Sequence, residues 1–273
     1  MRVRQRRGAG FSLLEMLVVI AIFALITGMV FQLLDMAQQR NRMESAVLEQ
    51  FQGGRLTMDQ LVRDIHASGY PPRNQFVPAV ANNPASIQWA FPFGWSAGYP
   101  ALPPAVGCSL SPIPPGIGGT CAAPTQWDLI IEADVDPQNA DGIEWIRYRL
   151  NGTILERGEA TKTPGADPVA ATAGQMVPYL ENVMNNASVV EMTRIRSFYP
   201  TMFPANTPVP LFNYICQTAP TATPAPCTTA NNPNQIREVN IAIVARAEND
   251  DPRTRQPRVI TLTGRARRWN PAP

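Results

Sequence analysis

The feature that most constrains this chain is an uninterrupted apolar segment close to its N terminus. Residues 11–34 (FSLLEMLVVIAIFALITGMVFQLL) contain one charged residue, Glu15, and no proline. At about 1.5 Å per residue, a helix of this length spans roughly 36 Å, which exceeds the ~30 Å hydrocarbon core of a membrane. The segment therefore predicts a membrane-spanning helix.

The charges before this segment predict its orientation. Four arginines, at positions 2, 4, 6 and 7, precede Gly10 without any acidic residue. By the positive-inside rule this end stays in the cytoplasm and the rest of the chain is exported. The whole chain has a formal net charge of +2, from 23 basic and 21 acidic residues. So small a charge argues against a broad surface for nucleic acid, and we expect no direct nucleic-acid binding.

Glu15 separates the possible interpretations of the apolar segment. An ordinary secretory signal has a shorter apolar region that ends in an A-x-A cleavage site, and no such site ends this one. A plain membrane anchor would leave the Glu15 carboxylate without a partner. Because a carboxylate costs about 2.5–3.5 kcal/mol inside a membrane, an acidic residue there indicates a functional site.

The residues around Glu15 resemble a known processing signal. The stretch from Gly10 through Phe11 to Glu15 (GFSLLE) is similar to the class III signal of type IV pilins and type II secretion pseudopilins. That signal has a short basic leader, a glycine, an aromatic residue and a glutamate at the fifth mature position. The resemblance implies that a prepilin peptidase cleaves after Gly10, that Phe11 is N-methylated, and that Glu15 sets the axial register during assembly.

The resemblance also implies a location and partners. The chain would sit in the bacterial inner membrane with a cytoplasmic N terminus, and then enter a periplasmic or extracellular filament. Its partners would be the prepilin peptidase, other major and minor pilin subunits, and the membrane, without a cofactor. Major pilins usually carry a kinking proline near the twenty-second mature position, where this chain has Gln32. That departure favours a minor subunit.

Beyond the membrane segment the helical pattern continues with one apolar stripe. Its members recur at spacings of three and four, as on one face of a helix. They are Met43, Val47, Phe51, Gly54, Met58, Leu61 and Ile65. Gly69 can cap a helix and Pro71 cannot continue one, so we predict a single helix of about 55 residues. The glycines at 53 and 54 allow either a bend or the close approach of a sheet.

The end of this helix resembles a narrower group. Gly54-Arg55-Leu56 followed by Asp64-Ile65 and Gly69-Tyr70 is similar to PilW-type minor pilins, and related in appearance to the J-type minor pseudopilins of type II secretion. The implied fold is α+β: a long N-terminal helix, membrane-spanning and then amphipathic, packed on an antiparallel sheet with long Pro-rich disulfide loops. We divide the chain into a leader (1–10), a membrane and filament-core helix (11–34), its amphipathic continuation (35–69) and an exported β-rich domain (70–273).

Short alternating segments predict the strands of the exported domain. They are Ser86–Phe91, Gln126–Ile131, Ile143–Leu150, Thr153–Glu156, Val189–Ser197, Ile236–Ala247 and Arg258–Trp269. Asn151-Gly152 lies between two of them and predicts a hairpin with a type I′ turn. The last two form a closing hairpin, whose Arg265, Arg267 and Arg268 either bind an acidic partner or keep a sheet edge solvated.

Two long insertions, Pro92–Thr125 and Pro200–Asn234, interrupt these strands, and each carries two cysteines. Cys108 and Cys121 lie in the first, Cys216 and Cys227 in the second. Four cysteines allow three pairings, of which pairing within each insertion is the simplest. Export makes oxidation favourable. A zinc site is the alternative, but it lacks a C-x-x-C motif and a neighbouring histidine.

Other candidate sites are weaker. Asp134, Asp136, Asn139 and Asp141 offer oxygen atoms that suit calcium, although their spacing does not match an EF-hand and a solvated turn is the simpler interpretation. His66 is the single histidine, and we expect a capping or surface role for it. The chain lacks a nucleophile elbow, a phosphate loop and a metal-ligand set, which argues against an enzyme.

Three functions therefore remain open. The first is a minor pilin that enters, or primes the assembly of, a type IV pilus that serves adhesion, twitching or DNA uptake. The second is a minor pseudopilin of a type II secretion system. The third is a membrane-anchored binding module at a filament tip, for which the aromatic residues supply the support. These are Trp89, Phe91, Phe93, Trp95 and Tyr99.

Overall fold

The computed structural model describes residues 12–81, 86–94, 124–138, 142–163, 166–228, 233–251 and 254–269. Its first element, α1, is a helix of 55 residues, Leu13–Ala67. The helix ends where the sequence predicts: Gly69 has a φ of +75°, a left-handed conformation that glycine adopts without strain. The predicted long helix is thus confirmed.

The remaining elements are short. The helices are α2 (Pro78–Ala81), α3 (Pro168–Ala173) and α4 (Val189–Phe198), with 3₁₀ turns at Arg73–Gln75, Pro204–Asn206 and Pro233–Gln235. The strands are β1 (Asp128–Ala133), β2 (Glu144–Asn151), β3 (Ile154–Thr161), β4 (Val177–Leu180), β5 (Phe212–Cys216), β6 (Ala225–Pro226), β7 (Ile236–Arg246) and β8 (Val259–Arg267).

The described strands form two antiparallel sheets. The first has the order β1-β2-β3-β4 and the second the order β6-β5-β7-β8. The predicted closing hairpin is present as β7 and β8, which pair from Glu238 opposite Arg267 to Arg246 opposite Val259. Because β7 alternates, its Val239, Ile241 and Ile243 all face the core and are buried.

A short bridge joins the two sheets. After β4 the chain turns so that Val183 pairs with Ala245 of β7. The fully buried side chain of Asn185 completes the junction: its Nδ2 donates to Ala242 O at 2.6 Å, and its Oδ1 accepts from Val244 N at 2.7 Å. The amide thereby satisfies backbone groups that would otherwise be buried without partners.

Helix α1 packs on this joined surface with its C-terminal part. Met58, Leu61 and Ile65 enter one core with residues of both sheets. The N-terminal part of the helix projects away from the domain, and its side chains are exposed. The α+β architecture of a long helix on antiparallel sheets is therefore confirmed.

Two predicted strands are wrong. Val189–Ser197 is helical, because Ser188 accepts a hydrogen bond from Glu191 N and caps α4 at its N terminus. Ser86–Phe91 contains no strand, since Trp89 and Phe91 pack irregularly around the buried side chain of Lys162. In both segments, local capping or tertiary packing overrides β-propensity.

The second predicted insertion is wrong in part. Residues 212–216 form β5, which lies between β6 and β7 in the second sheet rather than interrupting it. The turn prediction also needs correction: the β2–β3 hairpin is present, but Asn151 pairs with Ile154, so its two turn residues are Gly152 and Thr153. Of these only Gly152 has a positive φ, whereas a type I′ turn requires both.

Candidate functional site: the N-terminal helix and its seat

The helix begins immediately before the candidate assembly residue. Ser12 caps α1, and its Oγ accepts a hydrogen bond from Glu15 N at 3.4 Å. Glu15 lies in the first turn, where a carboxylate interacts favourably with the positive end of the helix. Gly10 and Phe11, the proposed cleavage and methylation residues, lie outside the described residues.

The first part of α1 is apolar and exposed. An 18-residue window within the helix reaches a mean hydropathy of 2.7 and packs against no other described part of the chain. Within the described residues this is the one helix long and apolar enough to cross a membrane. Side chains such as Phe23 and Phe31, each more than 60 % exposed, would be unfavourable in water.

A groove lies where the helix leaves the domain. One wall is the first part of the apolar stripe, with the half-buried Met43 and Val47, together with the exposed Met36 that precedes it. The other wall is the β7–β8 connection, where Asp251 pairs with Arg258 at 2.9 Å. The groove measures about 1040 Å³. Of the stripe predicted for one face of the helix, only the members from Gly54 onward are therefore fully buried by the domain.

Two glycines let the helix approach the sheet closely. A Cβ at Gly54 of α1 would lie 2.5 Å from Leu262 Cδ1 of β8, and a Cβ at Gly264 of β8 would lie 2.4 Å from Met58 Sδ of α1. Both distances are too short for real Cβ atoms. Of the two uses weighed for Gly54, the structure shows close approach to the sheet.

Asp64 ties the end of the helix to the first sheet. Its Oδ2 accepts from Tyr148 Oη at 2.6 Å and lies 3.4 Å from Arg157 Nη2, while its Oδ1 accepts from Gln60 Nε2 at 2.7 Å. Burial raises the pKa of the Asp64 carboxyl, although these partners act in the opposite direction. In the sequence Asp64 is notable only as part of the PilW-type resemblance, and its structural role could not be predicted because its partner Tyr148 is 84 residues away.

The structure settles part of the cysteine pairing. Cys216 and Cys227 form a disulfide, with Cα atoms 4.9 Å apart, that links the end of β5 to the residue after β6. This is the pairing within one insertion. Cys108 and Cys121 lie outside the described residues.

The weaker candidate sites are only partly described. Asn139 and Asp141 of the acidic patch lie outside the described residues, and no group of three metal-ligating side chains occurs within the described ones. His66 stacks on Trp269 with ring centroids 4.9 Å apart. Of the aromatic residues considered for tip binding, Trp89, Phe91 and Phe93 are buried, and Trp95 and Tyr99 lie outside the described residues.

A comparison with protein families identifies the type of signal at the N terminus. A family model described as the prokaryotic N-terminal methylation motif matches residues 5–31, about a tenth of the chain. The match covers Gly10, Phe11 and Glu15 and most of the apolar segment of α1. The chain is a type IV pilin-like prepilin.

The motif has direct consequences for this prepilin. It marks a structural subunit of the pilin or pseudopilin class, a substrate of prepilin peptidase that assembles with other pilins. The motif and the exposed apolar helix together support anchoring of the prepilin in the inner membrane through α1. Neither the comparison with curated proteins nor that with solved structures found a match.

Proposed function

We propose that this prepilin is a minor pilin of a type IV pilus. The peptidase cleaves after Gly10, Phe11 is N-methylated, and the mature subunit enters the filament or primes its assembly. The observation that carries the proposal is the methylation motif across residues 5–31, followed by an apolar helix whose first turn carries Glu15. The domain boundaries predicted above, with a leader that ends at residue 10, belong to the same proposal.

Glu15 acts during assembly in this proposal. Cleavage creates an ammonium group at Phe11, and its charge and the Glu15 carboxylate neutralise each other within one subunit or between neighbours. In an apolar filament core each unpaired charge costs several kcal/mol. Only the axial position that brings the two groups together avoids this cost, so the pair sets the register of the incoming subunit.

Two features support a minor rather than a major subunit. Gln32 stands where major pilins carry a kinking proline, and α1 is continuous through this position. The PilW-type resemblance at the end of α1 also favours a minor subunit. Asp64, one of its residues, holds the helix on the first sheet. A minor pseudopilin of a type II secretion system is the second candidate, supported by the J-type resemblance of the same residues.

The decisive first experiment is intact-mass analysis and N-terminal sequencing of the membrane-extracted protein, from cells with and without the prepilin peptidase. We expect a chain that starts at methylated Phe11 only when the peptidase is present. A chain that keeps Met1 in both strains would reduce the protein to a single-pass anchor with an exported domain. Piliation and protein secretion measured in a deletion strain then separate the two filament systems.

A variant at Glu15 tests assembly separately from cleavage. Glu15→Gln should still be processed, but its amount in sheared filaments should fall by at least about tenfold, equivalent to about 1.4 kcal/mol. Glu49→Gln is the matched control, because Glu49 is an exposed carboxylate on the same helix. Equal incorporation of all three proteins would refute the register role.

A further inference from the structure

The three arginines at the end of β8 have different surroundings. The side chain of Arg265 is 73 % exposed and pairs with Glu238 of β7. Arg267 is also exposed, so these two fit the solvated sheet edge predicted from the sequence. Arg268 is only 4 % exposed and does not fit it.

Arg268 faces a second arginine across the strand pair. Its backbone N donates to Arg237 O at 3.3 Å, which extends the β7–β8 ladder by one position. The Nε and Nη1 of Arg268 and the Nε of Arg237 are buried and have no hydrogen-bond partner among the described residues. Neither guanidinium forms an ion pair with a described carboxylate. Two cations with unsatisfied donors therefore lie together at one end of the second sheet.

The interaction between the positive charges of Arg237 and Arg268 is unfavourable. Burial and, to a smaller extent, the charge of Arg237 together lower the pKa of Arg268 to about 10. The C-terminal end of α1 lies close by, since Trp269 N approaches His66 O at 3.5 Å. Its partial negative charge offsets some of the repulsion but does not satisfy the buried N–H groups. A buried charge without a partner is among the costliest arrangements in a protein.

We propose that Arg237 and Arg268 form a binding site for an oxyanion, a carboxylate or a phosphate group. Guanidinium groups present N–H donors in a planar fork that matches the oxygens of both anions. A bound anion would accept hydrogen bonds from the unsatisfied nitrogens and neutralise the repulsion between the two cations. Arg237 is half-buried, which leaves a route from solvent to the site.

The test uses the detergent-solubilised full chain and inorganic phosphate and acetate as probes. Thermal unfolding is followed by circular dichroism in phosphate, in acetate and in chloride at equal ionic strength. We expect the wild-type Tm to be higher in phosphate or in acetate than in chloride, because a ligand that binds the folded state stabilises it. A rise in phosphate alone indicates a free phosphate ligand, and a rise in acetate indicates a carboxylate.

Variants separate this site from general salt effects. Arg268→Met keeps an unbranched side chain without charge; it should lose the anion-dependent rise and keep or exceed the wild-type Tm in chloride. Arg267→Met, at the exposed neighbour, should keep the rise. An equal rise in Arg268→Met, or no rise in the wild type, would overturn the proposal. Calorimetric titration of phosphate and acetate into the wild-type chain tests it without a variant, and absence of saturable binding for both would count against it.

Discussion

At the scale of single residues, Asp64 shows how a buried polar group orients the long helix. Asp64 is 2 % exposed and lies on a helix whose neighbouring buried residues are apolar. Its hydrogen bonds to Tyr148 and Gln60 and its contact with Arg157 compensate for the loss of water around the carboxylate. Because two of these partners belong to the first sheet, the network fixes both the rotation and the axial position of α1 on the domain.

Removing the phenol group tests this network. Tyr148→Phe deletes the hydrogen bond to Asp64 and keeps the packing, so we expect a loss of about 1.5–3 kcal/mol in the free energy of unfolding. Tyr179→Phe is the matched control, because Tyr179 packs edge-on against Tyr148 but is 36 % exposed. It should change stability by less than about 0.5 kcal/mol. Chemical denaturation of both variants measures the difference, and equal losses would refute the assignment.

At the scale of elements, α4 shows how a cap decides between helix and strand. Half of its sequence, VVEMTRIRSF, consists of β-branched or aromatic residues, which favours a strand. The N-cap at Ser188 and the first-turn Glu191 reverse that preference. Glu191 also pairs with Arg246 of β7 at 2.6 Å, and Met192 and Ile195 are buried against the second sheet. The N-cap and these tertiary contacts therefore stabilise α4 as a helix together.

Substitution of the cap should weaken this element selectively. Ser188→Ala removes the acceptor for Glu191 N, and we expect a loss of about 1 kcal/mol in stability. Ser197→Ala, near the other end of α4, removes an exposed hydroxyl whose bond to Arg194 O is local, and should be nearly neutral. Thermal unfolding compares the two variants. A smaller loss for Ser188→Ala than for Ser197→Ala would contradict the role of the cap.

At the scale of the whole molecule, buried tyrosines link stability to alkaline pH. Burial raises the pKa of Tyr148, and the neighbouring charge of Asp64 raises it further. Burial also raises the pKa of Tyr214 well above its ordinary value of 10.0; its Oη donates to Thr125 O at 2.6 Å. A tyrosine whose pKa is raised by folding contributes stability that is fully present below pH ~10 and is lost as the pH rises toward the folded-state value.

The prediction is that Tyr148 and Tyr214 ionise only when the protein unfolds, above the ordinary range for tyrosine. In one alkaline titration, absorbance at the phenolate band follows ionisation and circular dichroism follows unfolding. Tyr214→Phe should remove part of the absorbance change that accompanies unfolding. Ionisation of all tyrosines before any loss of circular dichroism would show that the two phenols are accessible.

Much of the architecture could be predicted because its signals are local. The apolar run, the stripe at helical spacing and Gly69 defined α1 to within two residues at each end, and strict alternation identified β2, β7 and β8. The wrong strand predictions arose because local composition was the only signal available for those segments. Val189–Ser197 and Ser86–Phe91 have strand-like composition, and their conformation depends on a cap and on the buried Lys162–Glu132 pair. β5 lies in a proline-rich stretch whose composition indicates a loop.

The N terminus is the part of this protein that its sequence determined alone. The membrane helix, its predicted orientation, and the glycine, aromatic and glutamate pattern of the prepilin signal depend only on residues close together in the sequence. The partners of Asp64, the close approach at Gly54 and the burial of Arg268 were decided only by the tertiary structure. Each depends on contact between residues far apart in the chain, and burial changes the energy of a charged group far more than its neighbours in sequence do.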